Sequence, residues 1–152
     1  MSDRGIVDTS AVVQAYRGKA GAPTFASPSE ALLAYAGAFA EKDLEFIRSA
    51  ISEETLLELP MVKPCRLLGE SEIFSAHSET FKSISSAAFE LHSPIEKGSL
   101  AIAEGVLKVS RAGKEETHPL GIVAETNNGK LKRVSLYFDA RHYRLWSDKT
   151  IL

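Results

Sequence analysis

The sequence predicts an α+β fold, with helices first and an antiparallel meander after them. Three observations carry that expectation. A capped helix start stands at Ser27-Pro28-Ser29-Glu30, and apolar residues recur at helical spacing from Leu32 to Ile51 and again from Ile73 to Ile84. From Ser86 onward the pattern changes to alternation with a period of two. The alternating stretches are joined through Lys97-Gly98, Ala112-Gly113 and Asn128-Gly129, pairs that suit tight hairpins.

Residues 1–26 read as an N-terminal extension that either packs on the domain or is partly mobile. Ala11-Val12-Val13 suits a short helix or an edge strand, and Gly18, Gly21 and Pro23 break any regular element after it. The domain proper is expected over residues 27–139. Ser27 caps its first helix, Pro28 suits the first helical position, and Leu32, Tyr35, Ala36 and Phe39 form one buried stripe. The charges at Glu41, Lys42, Asp43 and Glu45 mark a bend, after which Leu44, Ile47 and Ile51 continue as a second helical face. Glu54 to Leu59 reads as a strand ended by Pro60, and Gly69 to Ile84 as a helix carrying Ile73, His77, Phe81 and Ile84 on one side. Four strands follow, over Ala88 to Ile95, Leu100 to Ser110, Thr117 to Thr126 and Lys130 to Phe138. Residues 140–152, with Arg141, His142, Tyr143, Arg144 and Trp146, form an aromatic and basic C-terminal tail.

Composition narrows the function classes. A chain of 152 residues makes one domain with a substantial core. Its net charge of −2, with Lys and Arg spread along the chain, offers no basic patch for nucleic acid. No apolar run approaches the roughly 18 residues of a membrane helix, and Met1-Ser2-Asp3-Arg4-Gly5 lacks the order of a signal peptide. The single cysteine, Cys65, forms no intrachain disulfide and has no evident activating partner, which fits a cytoplasmic protein. His77, His92, His118 and His142 show no metal-ligand spacing, and no glycine-rich phosphate loop is present, so neither metal nor cofactor is expected.

The turn Asn127-Asn128-Gly129 feeds an alternating strand that closes on Tyr137-Phe138-Asp139. Upstream, the first helix runs into Lys42-Asp43-Leu44-Glu45-Phe46-Ile47, and Gly69-Glu70-Ser71-Glu72-Ile73 opens the later one. In that order and spacing, Ser27 to Asp139 resembles the SnoaL-like and ketosteroid-isomerase-like branch of the nuclear transport factor 2-like superfamily. The resemblance implies a cone of cystatin-like type, with three N-terminal helices packed on a curved, mostly antiparallel sheet around a pocket. It also implies a homodimer through the outer sheet faces, where Val106, Ile122 and Tyr137 are expected.

Ketosteroid isomerases move a proton with an Asp base and hold the enolate with a Tyr and a protonated Asp. Tyr35 stands at the matching tyrosine position, but the base position is Leu59, before Pro60, and the protonated-acid position is Gly121, after Pro119. Leucine takes no proton and glycine donates none, so isomerisation by that mechanism is not expected. His77 matches a position where an isomerase carries a second tyrosine, so the resemblance implies a Tyr35–His77 pair. An imidazole beside a phenol is either an acid–base device or a core histidine satisfied by its neighbours. Asp139, at the closing strand, is either an acid or base, as in SnoaL-like cyclases, or a turn-fixing side chain. Tyr35, His77 and Asp139 are thus the catalytic candidates. Glu58, Glu104 and His118 are expected to face outward.

In such a cone the ligand-binding residues implied are Phe39, Leu57, Leu59, Phe81, Leu107, Val123, Val134, Leu136 and Phe138, an apolar set that also suits ordinary core packing. The expected partner is a small hydrophobic molecule. Three functions follow. One is a cofactor-independent isomerase, cyclase or hydratase acting on a hydrophobic carbonyl or polycyclic substrate. The second is a non-catalytic binding module that has lost the catalytic carboxylates, and the third a dimerising module with a filled core.

Overall fold

The computed structural model describes residues 5–61 and 66–138. Four helices come first or early: α1 (Thr9–Gln14), α2 (Pro28–Ala40), α3 (Leu44–Ala50) and α4 (Glu70–Ser83). The strands are β1 (Leu56–Glu58), β2 (Arg66–Leu68), β3 (Ser86–Leu91), β4 (Ile95–Lys97), β5 (Leu100–Arg111), β6 (Lys114–Asn127) and β7 (Lys130–Phe138). They make one seven-stranded sheet in the order β2-β1-β7-β6-β5-β3, with β4 pairing the other end of β5. Only β1 and β7 run parallel; every other pairing is antiparallel. No described helix is long and apolar enough to cross a membrane.

Helix α2 begins as its cap sequence dictates. Ser27 is extended and its hydroxyl accepts from the Glu30 amide at 3.1 Å, while Pro28 takes the first helical position. Glu30 turns its carboxylate to the Tyr16 hydroxyl. The helix is buried on more than the expected stripe, since every residue from Ala31 to Phe39 is inside. The sheet covers one side, through β3, β5 and β6, and α1 covers another. Gly37 permits that second contact: a Cβ there would lie 2.3 Å from the carbonyl oxygen of Thr9. The N-terminal segment is therefore packed on the domain from Val7, whose amide bonds Leu91, through α1 to Phe25, whose amide bonds Gly129.

Asp43 caps α3, accepting from the Phe46 amide at 3.0 Å. At the far end of the chain, Asn128 (φ 53°) and Gly129 (φ 77°) both occupy the left-handed region, the requirement of the tightest hairpin turn, and β7 leaves that turn at the expected Lys130. The expected strand over Ala88 to Ile95 is instead two strands. Pro94 lacks the N–H a ladder needs, so β3 stops at Leu91 and β4 restarts at Ile95 against the start of β5. β2, three residues long against β1, has no signal of its own in the alternation.

Register decides which side chains face the helices. Leu107 stands opposite both Phe89 and His118, Ala103 opposite Ile122, and Ile122 opposite Leu136. Leu57 pairs with Val134 and Leu67. All are buried, so the inner face of β6 is His118, Leu120, Ile122, Ala124 and Thr126. Two expectations are corrected here. Ile122 is fully buried inside rather than on the outer face, and His118 points inward rather than outward. Tyr137 and Val106 do face outward, with Tyr137 exposed.

The Gly37 contact gives a direct test of how the N-terminal segment is held. Gly37→Val should push α1 off α2 and destabilise the fold by about 1–3 kcal/mol, read from a chemical denaturation curve. An unchanged midpoint would show that α1 contributes nothing to the packing of α2.

Candidate functional site

Tyr35 lies in the middle of α2 and His77 in the middle of α4, and their side chains meet in the interior. The Tyr35 hydroxyl and His77 Nε2 are 2.7 Å apart. His77 follows Ile73 by one helical turn, and its Nδ1 lies 2.8 Å from the Ile73 carbonyl oxygen. A carbonyl only accepts, so Nδ1 carries the imidazole proton. Nε2 then has the lone pair, and the tyrosine hydroxyl donates to it. Both ring nitrogens are used, and the phenol's proton is committed to the histidine.

The surroundings are aromatic. The rings of Phe39 and Phe81 are 5.0 Å apart, Phe39 and Phe89 5.4 Å, and His77 lies 5.8 Å from Phe81 and 6.0 Å from Phe39, all at steep edge-on angles. Such a site penalises charge. Burial lowers the His77 pKa from 6.5 to about 4, against the opposing pull of the Ile73 carbonyl. Burial also raises the Tyr35 phenol well above its ordinary value. The pair is therefore neutral at physiological pH. In that state the phenol oxygen can accept a hydrogen bond from a ligand. It donates to one only by giving up His77.

The structure places the other sequence candidates as follows. Phe39, Leu57, Leu59, Phe81, Leu107, Val134, Leu136 and Phe138 are all buried. Val123 is the exception: Ile122 and Ala124 on either side of it face inward, so Val123 lies on the outer face between Ile102 and Ser135. Gly121 lies on that outer face too, opposite Glu104 and Tyr137, so the isomerase-derived acid position does not point into this interior. Glu58 faces outward as expected. It accepts from Ser135 at 2.8 Å and meets Arg133 at 3.3 Å and Arg66 at 3.3 Å. Asp139, Cys65 and the tail lie outside the described residues.

Two buried polar residues were not singled out as inner groups. His118 is an inner-face histidine whose Nε2 lies 3.1 Å from Glu116. The alternation of Leu120, Ile122 and Ala124 carries the phase that places it inside. Thr80, one turn beyond His77, has a fully buried hydroxyl with no hydrogen-bond partner among the described residues. Among the described residues no cluster of His, Cys, Asp or Glu could hold a metal ion.

A narrow apolar pocket is walled by Tyr35 with Phe25, Ala31, Phe46, Ile47, Ala50, Ile51 and Leu131. Its free volume of about 10 Å³ holds roughly one water molecule.

This architecture recurs in solved structures. An LEH-like epoxide hydrolase of M. tuberculosis superposes with a TM-score of 0.67 at 14% identity, over 82% of this chain and 92% of that one. A SnoaL-like polyketide cyclase from Shewanella denitrificans gives 0.64 at 10% identity, over 76% and 92%. An NTF2-like protein from Burkholderia pseudomallei gives 0.62 at 17%, over 93% and 99%. The chain has the SnoaL-like, nuclear transport factor 2-like fold. At these identities the likeness concerns the fold alone. No family model matches the sequence, and no curated protein matches it. Within the SnoaL-like fold, then, the Tyr35–His77 pair is a feature read from this chain's own geometry.

The lowered His77 pKa has a consequence for stability. Below pH 6.5 the unfolded chain takes up a proton at residue 77 that the folded chain refuses until about pH 4. Stability that is complete above pH 6.5 is therefore lost as the pH falls, with about 3 kcal/mol at stake from this group. His77→Gln should flatten that part of the curve, measured as the difference between variant and parent from pH 7 to 4, so that other titrating groups cancel. Parallel curves would mean that His77 is reached by solvent.

Proposed function

We propose that this chain is a small-molecule protein whose ligand is compact and hydrophobic and meets the protein's polar chemistry at the Tyr35–His77 pair. The observation that supports it is a neutral phenol–imidazole pair set among apolar side chains, one member of which, Tyr35, also lines a narrow apolar pocket. An apolar site with a few placed polar groups is the usual construction of a small-ligand site. The fold's company adds support, since structural neighbours include polyketide cyclases and an epoxide hydrolase.

As an enzyme, the chain would carry out cofactor-independent proton transfer in an isomerase, cyclase or hydratase. A ligand hydroxyl or enol would give its proton to the Tyr35 oxygen while Tyr35 passes its own to His77 Nε2. The Ile73 carbonyl would hold the imidazolium in place. For a carbonyl substrate the direction reverses, and Tyr35 leaves His77 to donate to the developing oxyanion. A second reading is a binding module without catalysis. It is favoured by a specific observation: no Asp or Glu is buried among the described residues. The pair would then orient a ligand and move no proton.

The outer sheet face enters the same proposal as the contact with a second copy of the chain. Ile95, Ile102 and Tyr137, at 72%, 54% and 41% exposed, lie on that face. Sedimentation equilibrium reads the state, and a monomer at high concentration rules the dimer out.

Thermal shifts with neutral probes (steroids, polycyclic ketones, terpene epoxides) test the ligand reading. A ligand at 100 times its Kd adds about 2.7 kcal/mol of stability. With a hit in hand, Tyr35→Phe should abolish turnover in an enzyme, while in a binding module it weakens affinity for a probe that no form of the protein transforms. No shift for any probe, with the pocket widened by Phe46→Ala as well, would sink the ligand reading.

A further inference from the structure

Beside the β6–β7 turn lies an open groove of about 450 Å³, walled in part by Ala22, Glu54, Asn128, Lys130 and Lys132. That volume is within the range of small-ligand sites. Ala50, Ile51 and Leu131 belong both to the groove and to the narrow pocket in front of Tyr35. The two therefore share a wall.

Phe25, at the end of the segment that begins at Arg17, forms part of the inner pocket's wall. It is buried there, its ring 4.8 Å from that of Tyr16. Upstream of it, residues 18–22 are exposed, and nothing lies within 4 Å of where a Cβ on Gly18 or Gly21 would stand. Two contacts tie the end of this strap to β7 and its turn. The Phe25 amide donates to the Gly129 carbonyl at 2.7 Å, and the Lys130 ammonium donates to the Ala22 carbonyl at 3.0 Å, with that of Pro23 at 3.5 Å. The second tie is a cation held by neutral peptide oxygens, and an anion is the stronger partner for it. Lys132 offers a second ammonium on the same wall, its Nζ at a loose 3.7 Å from Glu125.

We propose that groove and pocket form one path that takes an amphipathic carboxylate, with its anionic end at Lys130 and Lys132 in the groove and its apolar body displacing Phe25 to fill the pocket beside Tyr35. Binding at the ammonium loosens the strap at Ala22 and Pro23, which couples recognition of the head to opening for the tail. The proposal rests on the reading above that a ligand enters the pocket beside Tyr35, and it names the head group that such a ligand presents at the outer end.

Calorimetric titration of the full chain with octanoate, and with octanol as the uncharged probe of equal length, tests it at about pH 7.5 and low salt. Octanoate should bind about tenfold or more tighter than octanol, and that advantage should shrink with added salt. Lys130→Gln with Lys132→Gln should bring octanoate down to the octanol level, as should Lys132→Gln in part, without touching the strap. Phe25→Ala should strengthen both probes severalfold by emptying the inner pocket. Equal affinities for the two probes, or no response to either lysine variant, overturns the assignment of the head. Octanoate binding that ignores Phe25→Ala is surface ion pairing and overturns the path. If neither probe binds while a neutral polycyclic ketone stabilises the protein, this inference falls and the ligand reading stands; if none of the three binds, both fall.

Discussion

Helix α2 is a helix with almost no outside. Sheet and α1 cover it, and its apolar run from Ala31 to Phe39 is compatible with that position and with little else. The constraint propagates in both directions. Toward the N-terminus, it requires a partner for the side turned away from the sheet, which α1 supplies at the bare backbone of Gly37. Toward the interior, it fixes Tyr35 and Phe39, a turn apart, against α4 and the inner sheet face. The site is thus set by how a wholly buried helix is enclosed.

Enclosure also decides the chemistry available. A phenol and an imidazole in water are two independent titrating groups. Held 2.7 Å apart among phenylalanines, they become one neutral unit with a fixed tautomer, because the Ile73 carbonyl claims Nδ1 and the hydroxyl claims Nε2. The histidine gives up much of its basicity in exchange for a defined orientation. Charge is handled on the other side of the sheet, where Glu58, Glu125, Arg133 and Ser135 satisfy one another across β1, β7 and β6. That ionic cluster on the outer surface stands apart from the neutral Tyr35–His77 pair inside.

Much of the fold was legible in the sequence because its signals are local. The Ser27 cap and Pro28 locate α2, the charges around Asp43 mark the bend before α3, and Asn128-Gly129 sets the last hairpin to the residue. The Tyr35–His77 contact was legible only through the resemblance of the chain to a family, since the residues are 42 apart and on different helices. The errors have a physical source. In β6 both faces are apolar, Leu120, Ile122 and Ala124 on one and Val123 beside Gly121 on the other, so alternation alone does not choose between them. Matching Gly121 to an isomerase's acid chose the wrong phase and sent Val123 inward, Ile122 and His118 outward.

The sequence by itself determined the order of helices and strands, the caps and turns that bound them, and the apolar character of the interior. Each of those follows from residues within a few positions of one another. Tertiary structure alone decided which face of β6 turns inward, because register comes from hydrogen bonding to β5 and β7. It alone decided the protonation of His77, because desolvation is a property of everything packed around a group rather than of its neighbours in the chain. And it alone brought the strap from Arg17 to Phe25 beside Lys130, more than a hundred residues away, because only the closed fold places the start of α2 against the last hairpin.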